Sequence, residues 1–347
     1  MLRNKLKKPQ YMKNYKIHQL QLDPYGVCNA GCWFCPVRYE GNPSEGKKIM
    51  SPDLLEKIIK NLIDERNRED GIVSKGFNSF YTSHYNEILL YPHFEQLLEI
   101  SQRYGLTFAI LSNGTTLTPE KVDLIKKYKN VVNSIVLNIP AFDEETWSKR
   151  SGMNIKLFDK LMGNLDYAIK ELYGMVRRGT FSIQVNGINE DSLTNKGGWV
   201  DLGPDFPTDM DLVPSSGELA LEVHIAKETY PDVTINVDPY LYDRVGLLDN
   251  IITNKKAIKE RLQKGDETKK VVGCGIGIDI GGRPIGWLHV NANGDSFLCC
   301  NDYHFDYKFG NFKTQELRDF WGGEEHIKKI EDAFENICRK CSAAIFE

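Results

Sequence analysis

The sequence predicts an α/β fold in which six β-strands alternate with amphipathic helices. Short runs rich in apolar, β-branched and aromatic residues predict the strands, at 17–22, 77–81, 107–111, 134–138, 181–185 and 233–237. This alternation favours a parallel sheet with the helices packed outside it. Six units are fewer than the eight of a complete barrel, so we expect a partial (β/α)6 TIM-like barrel with its functional residues on loops after the strands.

The helices are predicted from cap residues and from apolar side chains at helical spacing. Ser51 is a candidate N-cap, and Pro52 suits the first turn of a helix. That helix carries apolar residues at helical spacing: Leu54, Leu55, Ile58, Ile59, Leu62 and Ile63. A second helix start is predicted at Thr118, and the other helices are expected at 94–100, 157–172 and 218–227.

The composition is that of a folded globular protein, with 347 residues, 41% hydrophobic, 27% charged and a net charge of -4. This excludes the disordered and collagen-like classes. No apolar run approaches the roughly 18 residues of a membrane span, and the basic stretch 1–16 lacks the apolar core of a secretory signal. Since the basic residues form no long patch beyond that stretch, we expect a cytoplasmic protein with no nucleic-acid or membrane partner.

Two regions depart from the strand-helix alternation. An acidic insertion at 186–216 has the length of a functional lid or a mobile segment. A polar helical stretch at 255–270 leads to a cysteine-rich region, where Asn293-Gly294 predicts a tight two-residue turn in a β-hairpin that ends at Cys299. The predicted domains are a basic extension (1–16), a barrel (17–240), and a linker with a small hairpin and helix domain (241–347).

The eight cysteines form two groups, which in a cytosolic chain indicates metal binding or redox chemistry more than disulfides. The first group is Cys28, Cys32 and Cys35, directly after the first predicted strand. Three thiolates can hold three irons of a cubane cluster and leave the fourth iron open to a substrate or cofactor. The alternative is a zinc knuckle, although the nearest further ligand, His18, lies within a strand.

The spacing of this first group, with Phe34 just before the last cysteine, resembles that of the radical SAM superfamily. The resemblance implies a [4Fe-4S] cluster whose open iron binds S-adenosylmethionine. It also implies reductive cleavage to a 5′-deoxyadenosyl radical, which abstracts hydrogen from an unactivated carbon, and an electron donor such as flavodoxin or ferredoxin.

Further residues match the family's cofactor-binding segments at the ends of successive strands. Asn86 and Glu87 lie in a segment that resembles the Gly-Gly-Glu-Pro motif, which receives the methionine amino group, although Asn86 replaces a glycine and Ile88 the proline. Ser112 and Asn113 resemble part of a Thr-Asn-Gly stretch near the cofactor. The remaining candidates are Asn138, where the family often has serine, Arg150 for the methionine carboxylate, and Gln184 with Asn186 for the ribose. Arg150 is alternatively a surface residue, and Gln184 an ordinary polar strand residue.

The second cysteine group consists of Cys274, of Cys299-Cys300 after the predicted hairpin, and of Cys338-Arg339-Lys340-Cys341. This order resembles that of the auxiliary-cluster domains called SPASM and twitch. The resemblance assigns Cys274, Cys299, Cys338 and Cys341 as ligands of a second [4Fe-4S] cluster, and their number favours the twitch form. A structural zinc site of four thiolates is the alternative. Cys300 is then spare, and it is a candidate hydrogen donor in an epimerisation, an alternative ligand or a small buried residue.

These observations lead to three functional hypotheses. The first is a radical SAM oxidoreductase or epimerase that acts on a polar small molecule such as an aminosugar, a cyclitol or a nucleoside-linked sugar. Only about sixteen residues precede the first strand, so no separate peptide-recognition domain is expected, which favours a small molecule. The second hypothesis is a radical SAM maturase that modifies a peptide. The third is a zinc-stabilised binding protein without catalytic activity.

Overall fold

A mixed β-sheet forms the centre of the protein. The computed structural model describes residues 16–43, 48–186, 214–238, 245, 247, 269–341 and 343–347. Its strands are β1 (Gln19–Leu22), β2 (Ser79–Tyr81), β3 (Thr107–Ser112), β4 (Val132–Asn138), β5 (Phe181–Asn186), β6 (Thr234–Asp238), β7 (Val271–Cys274), β8 (Trp287–Val290), β9 (Asp295–Phe297), β10 (Lys308–Asn311) and β11 (Ala344–Phe346).

Nine of these strands form one sheet in the order β10-β9-β8-β1-β2-β3-β4-β5-β6, and β7 pairs with β11 in a separate ribbon. The strands β1 to β6 are parallel. All six predicted barrel strands are therefore confirmed, and so is their parallel arrangement. Their carboxyl ends lie along one edge of the sheet, where the first cysteine group follows β1.

The helices are α1 (Val37–Glu40), α2 (Pro52–Asn67), α3 (Phe94–Arg103), α4 (Pro119–Lys127), α5 (Glu144–Ser151), α6 (Phe158–Glu171), α7 (Tyr173–Arg177), α8 (Ser216–Thr229), α9 (Arg283–Gly286), α10 (Leu317–Phe320) and α11 (Glu324–Glu335). The Ser51 side chain accepts a hydrogen bond from the Leu54 N–H, which confirms the predicted cap of α2. Thr118 does precede α4, but its side chain makes no capping hydrogen bond.

The sheet has one face packed on helices and one more open face. Leu20 and Leu22 of β1 are fully buried, in the same core as Leu55 and Ile58 of α2. The alternate positions of the first four strands are more accessible and carry Gln19, Gln21, Ser79, Tyr81, Thr107, Ala109, Leu111, Ser134, Val136 and Asn138. Because side chains alternate along a strand, this second set lies on the opposite face, which we call the open face.

The C-terminal hairpin extends the barrel sheet. A separate small domain would instead form a sheet of its own. Strand β8 pairs in parallel with β1, with Leu288 beside Leu20, and β9 and β10 follow in antiparallel order. The predicted two-residue turn is wrong, because four residues, 291–294, join β8 to β9. The Asn291 side-chain oxygen accepts the N–H groups of Asn293 and Asp295, and only Gly294 among these residues has a positive φ. This side-chain hydrogen bonding stabilises the longer loop.

Several predicted features lie wholly or largely outside the described residues. They are the basic extension 1–16, the acidic insertion 186–216 apart from its first and last few residues, and the polar helical stretch 255–270 apart from its last two residues. Within the ranges that are described, no helix is both long and apolar enough to cross a membrane.

Candidate functional site

The first cysteine centre consists of Cys28, Cys32 and Cys35, in the loop that connects β1 to α1. A tight turn gathers them, in which the Cys35 N–H donates to the Cys32 carbonyl over 2.9 Å. Burial raises the pKa of Cys32 well above its usual range, and the neighbouring Cys35 and Cys28 raise it further. Such mutual effects require short separations, so the three thiols lie together. Binding of metal would have to displace their protons.

Helix α5 holds this loop in place through backbone hydrogen bonds. The N–H groups of Gly31 and Trp33 donate to the carbonyls of Ser151 and Arg150, each over 2.9 Å. At Gly152, which ends the helix with φ near 67°, an added Cβ would lie 2.7 Å from the Gly31 carbonyl oxygen. Glycine is therefore required for the close approach of the two segments.

Glu87 joins the loop after β2 to the end of β3. Its carboxylate accepts hydrogen bonds from the Ser112 hydroxyl (2.9 Å), the Asn113 N–H (2.9 Å) and the Leu89 N–H (3.2 Å). Burial raises the pKa of Glu87, and these hydrogen bonds oppose that shift. Burial raises the pKa of Cys28, and the Glu87 carboxylate raises it further. The structure therefore places Glu87, Ser112 and Asn113 beside the first cysteine centre.

A second hydrogen-bond network includes two residues that the sequence analysis missed. The Asn113 side-chain amide donates to the Asn29 side-chain oxygen over 2.8 Å, and Asn29 donates to the Thr115 hydroxyl over 3.1 Å. The available signal for Asn29 was its position between Cys28 and Cys32. These contacts connect the cysteine loop directly to the end of β3.

Two predicted cofactor-binding residues mainly contact their own segments. The Asn86 side chain accepts from the His84 N–H over 3.0 Å and donates to the Thr82 carbonyl over 3.1 Å, which closes its loop. Phe34 packs edge-on against Trp33 with ring centroids 5.5 Å apart. Neither geometry tests cofactor binding, so both roles remain predictions.

Asn138 and Gln184 lie side by side near the carboxyl ends of β4 and β5, where the strand register pairs them. The Asn138 side chain donates a hydrogen bond to the Asn186 side chain. These three residues form a neutral polar edge on the far side of β3 from the thiols. Their proposed cofactor contacts remain predictions.

Arg150 is 1% exposed and binds the acidic side chains of α8. Its guanidinium donates to Glu218 over 3.1 Å and to Glu222 over 3.3 Å. Burial raises the pKa of Glu222, and the nearby guanidinium lowers it. The alternative of a surface arginine is therefore wrong. A methionine carboxylate would have to compete with both glutamates, and this role remains a prediction.

The second cysteine centre consists of Cys274, Cys299, Cys338 and Cys341. Burial raises the pKa of Cys338, with further contributions from Cys341 and Cys274. Burial likewise raises the pKa of Cys299, with contributions from Cys300, Cys338 and Cys341. The pairing of β7 with β11 places Cys274 beside Ala344, close to Cys341 in sequence. The structure thus brings the four predicted ligands together.

Cys300 lies beside the second cysteine centre and is buried, with 6% exposure. Its thiol accepts a hydrogen bond from the Arg283 guanidinium, and its carbonyl accepts one from the Tyr85 hydroxyl over 2.8 Å. The nearby Asp302 is also buried, and its carboxylate accepts the N–H groups of Asp306 and Tyr307. Cys300 is therefore enclosed by groups from both parts of the chain.

The donor sets of the two cysteine centres fit cubane iron-sulfur clusters. Zinc requires four donors at about 2.0–2.3 Å from one ion. A cubane cluster binds each thiolate through a different iron, so its thiolates stand farther apart. The first centre supplies three thiols and the second supplies four.

The family comparison decides between these chemistries. Residues 22–194 match the model of the radical SAM superfamily, and residues 282–342 match the SPASM model, described as an iron-sulfur cluster-binding domain. The chain belongs to the radical SAM superfamily. This radical SAM protein therefore uses a [4Fe-4S] cluster with S-adenosylmethionine, and its C-terminal domain holds an auxiliary iron-sulfur cluster.

Several solved structures resemble this chain in fold at low sequence identity. BtrN in complex with AdoMet and 2-DOIA is 15% identical, with 94% of this chain and 91% of that chain covered and a TM-score of 0.50. The protein anSMEcpe with bound AdoMet is 14% identical, with coverages of 94% and 88% and a TM-score of 0.54. Streptococcus suis SuiB bound to precursor peptide SuiA is 14% identical, with coverages of 95% and 70% and a TM-score of 0.55. Curated proteins gave no significant sequence match.

Asp23, at the end of β1, is a buried acid that the sequence analysis missed. Its side chain is 1% exposed. Burial raises its pKa to about 7, although the Tyr25 N–H acts in the opposite direction. The carboxyl is therefore largely protonated in mildly acidic solution.

The raised pKa of Asp23 predicts a pH-dependent stability. The folded state keeps its proton up to about pH 7 and the unfolded state loses it near pH 4, so ionisation favours unfolding between these values. As pH rises through this range, the free energy of unfolding of the unsubstituted protein should fall by up to about 1.4 kcal/mol per pH unit relative to that of Asp23→Asn. Urea unfolding of the iron-free protein measures this difference. The control Asp123→Asn removes an exposed carboxylate, and its free energy of unfolding should change with pH in the same way as that of the unsubstituted protein. If Asp23→Asn also shows this same pH dependence, the raised pKa of Asp23 is contradicted.

Proposed function

We propose that this radical SAM enzyme abstracts hydrogen from a carbon of a neutral or amino-substituted cyclic polyol, and that oxidation or epimerisation follows. The observation that carries this proposal is the composition of the open face of the sheet. Strands β1 to β5, which the structure describes in full, contain no charged residue. Their side chains on the open face are amides, hydroxyls and a few apolar groups.

Aromatic rings form part of this surface. Tyr81, at 41% exposure, lies nearly parallel to Trp287 with ring centroids 5.8 Å apart, and Trp287 lies next to His289 at 6.0 Å. Gln19 and Gln21 of β1 are register neighbours of Trp287 and His289. Ligand sites commonly combine such apolar ring faces with a few placed hydrogen-bonding groups. A ring that bears hydroxyl or amino groups suits this surface.

The residues of the first cysteine centre are suited to hold the reactive cofactor. Cys28, Cys32 and Cys35 supply the thiolates, and the bound cluster with S-adenosylmethionine supplies the 5′-deoxyadenosyl radical. The chain's own contribution is orientation, because Glu87 holds the Ser112–Asn113 stretch against the cysteine loop. Burial of that carboxylate and of Trp33 keeps water away from this side of the loop.

The second cysteine centre and Cys300 determine the fate of the substrate radical after hydrogen abstraction. We infer that Cys274, Cys299, Cys338 and Cys341 would hold a single auxiliary cluster, as in the twitch form, and that this cluster would supply an electron acceptor if the substrate is oxidised. If the substrate is epimerised, Cys300 is the candidate thiol that returns a hydrogen atom. The division of the chain at residue 240 into a barrel and an auxiliary domain is part of the same proposal.

Peptide modification is the second candidate function. Its support is the likeness in fold to SuiB bound to its precursor peptide SuiA. Incubation with deuterium-labelled candidates distinguishes the two functions. Deuterium in 5′-deoxyadenosine from cyclitols and aminosugars supports the first function, whereas deuterium from a peptide encoded beside the gene supports the second.

Removal of either cysteine set should remove half of the iron. The reconstituted protein should hold about eight irons, since each cubane cluster contains four. Replacing Cys28, Cys32 and Cys35 by alanine should leave about four, as should replacing the four ligands of the second centre. Iron and sulfide analysis measures this, with Cys300→Ala as the matched control that keeps all eight. A loss of iron in that control would make Cys300 a ligand.

The exposed ring of Tyr81 should matter for substrate binding. Tyr81→Ala removes one ring of the aromatic surface, and we expect KM for the accepted cyclic substrate to rise about tenfold, the effect of about 1.4 kcal/mol of lost binding. Tyr173, exposed on α7, provides the matched control through Tyr173→Ala. Steady-state formation of 5′-deoxyadenosine measures both variants. An unchanged KM in Tyr81→Ala would remove the aromatic surface from the binding site.

Cys300 should determine the outcome if the reaction is an epimerisation. In Cys300→Ala the epimerised product should disappear while 5′-deoxyadenosine formation continues, because hydrogen abstraction precedes hydrogen return. Mass spectrometry of the product formed in D2O measures the returned atom. Retention of epimerised product in this variant would exclude Cys300 as the donor.

A further inference from the structure

A small group of buried side chains lies between the two cysteine centres and apart from the main core. It consists of Val37, Tyr85 and Tyr303, and Cys35 packs against it. Val37 begins the helix after the first cysteine centre, Tyr85 precedes Asn86 and Glu87, and Tyr303 follows the hairpin that carries Cys299. Three segments that each serve one of the two centres therefore meet at this point.

The two tyrosines, which we call the tyrosine pair, bind across this junction in opposite directions. Tyr85 comes from the barrel, and its hydroxyl donates to the carbonyl of Cys300 over 2.8 Å. Tyr303 comes from the C-terminal region, and its hydroxyl donates to the carbonyl of Gly41, at the end of α1. Their rings meet edge to face with centroids 4.6 Å apart. Each tyrosine thus reaches from one centre's segment to the other's.

The effect of Cys35 on the pKa of Tyr303 agrees with a position of the tyrosine pair close to the first centre. Burial raises the pKa of Tyr303, and the charge of Cys35 raises it further. The side chains of Tyr85 and Tyr303 are 5% and 2% exposed, so water does not separate the rings. Cys35 packs against the group that contains both rings, and the Tyr85 hydroxyl binds the carbonyl of Cys300, the residue next to the ligand Cys299.

We propose that the tyrosine pair is the electronic contact through which one electron passes from the auxiliary cluster to the S-adenosylmethionine-binding cluster. The auxiliary cluster changes from the 1+ to the 2+ state and the other cluster from 2+ to 1+. No bond forms or breaks, and neither tyrosine loses its proton. This inference rests on the proposed function, which assigns one cluster to each of the two cysteine centres.

The packing of the tyrosine pair supports this role. Electron tunnelling weakens steeply across a gap, and aromatic rings in contact leave less of a gap than separated saturated side chains. Replacing a buried ring by a smaller aliphatic group opens a void that neighbours fill only partly. A ring that loses only its hydroxyl keeps the ring contact and loses one hydrogen bond.

The test uses the reconstituted full-length protein with both clusters reduced by dithionite and the excess reductant removed. S-adenosylmethionine is added without substrate, and samples are frozen at intervals for electron paramagnetic resonance. Each cleavage uses one electron from the first centre, and without substrate the 5′-deoxyadenosyl radical takes its hydrogen atom from a C–H bond of an added donor such as glycerol. A second 5′-deoxyadenosine per chain therefore requires the electron of the auxiliary cluster. In the unsubstituted protein, the auxiliary signal should decay together with a second phase of 5′-deoxyadenosine formation.

Substitutions of the two tyrosines distinguish the effect of their ring contact from a general effect of disturbed packing. In Tyr85→Leu and Tyr303→Leu the first phase should be unchanged, and decay of the auxiliary signal should slow about tenfold, the effect of about 1.4 kcal/mol of added activation free energy. Tyr85→Phe and Tyr303→Phe keep the rings and should largely restore the rate. Tyr230→Phe and Tyr230→Leu are matched controls, because this buried tyrosine donates to Asp166 over 3.1 Å elsewhere in the fold, and both should behave as the unsubstituted protein. Only variants with the full iron content are compared.

Two results would overturn the inference. One is an auxiliary signal that persists in the unsubstituted protein after the first phase, and the other is an unchanged decay rate in the full-iron leucine variants. If the leucine variants do not load iron, Tyr85→Met and Tyr303→Met take their place, because they also remove the ring contact. Slower decay of the auxiliary signal in these variants than in the Tyr230 controls supports the contact, and an equal rate contradicts it. The experiment contains no substrate, so its failure leaves the proposed substrate class intact. A protein with only four irons would instead contradict the proposed cluster set.

Discussion

The parallel pairing of β8 with β1 is the constraint on which the arrangement of both centres depends. The Asp23 N–H donates to the Val290 carbonyl and the His18 N–H to the Gly286 carbonyl, each over 2.8 Å, at the two ends of this pairing. Buried backbone groups need such partners, so the register is strongly determined. Through it, the hairpin that carries Cys299 is continuous with the strand that leads to Cys28. Two cysteine groups that are distant in sequence thereby lie over one sheet.

Buried charged and polar groups then hold the loops above this sheet. Glu87 accepts three hydrogen bonds, and Arg150 binds two glutamates of α8. Burial of such groups is costly unless their partners are in place, so each network specifies one arrangement of the loops it joins. The same arrangement gathers the thiols of the first centre, which lowers the ordering that cluster binding requires. Glu87 and Arg150 thus contribute to the geometry of the site through the protein groups they bind.

Much of the barrel and of the metal chemistry could be predicted from local patterns. The six strands and the cap at Ser51 follow from spacing, because strand alternation and capping involve residues close in sequence. The turn after β8 was mispredicted because the Asn-Gly preference was considered without the side chain of Asn291, which closes a longer loop. The partners of Arg150 escaped prediction because Glu218 and Glu222 lie on a helix about seventy residues away. No local pattern shows which distant acids a buried guanidinium will bind.

The sequence by itself determined the strand-helix alternation, the two cysteine groups and the family resemblance that links them to iron-sulfur chemistry. These depend on residue type and on spacing within short segments. Only the tertiary structure decided that β8 joins β1, that Glu87 bonds the end of β3, and that Tyr85 and Tyr303 meet between the two centres. The physical reason is that such contacts depend on strand register and on the packing of loops from opposite ends of the chain. Spacing along the sequence carries little information about either.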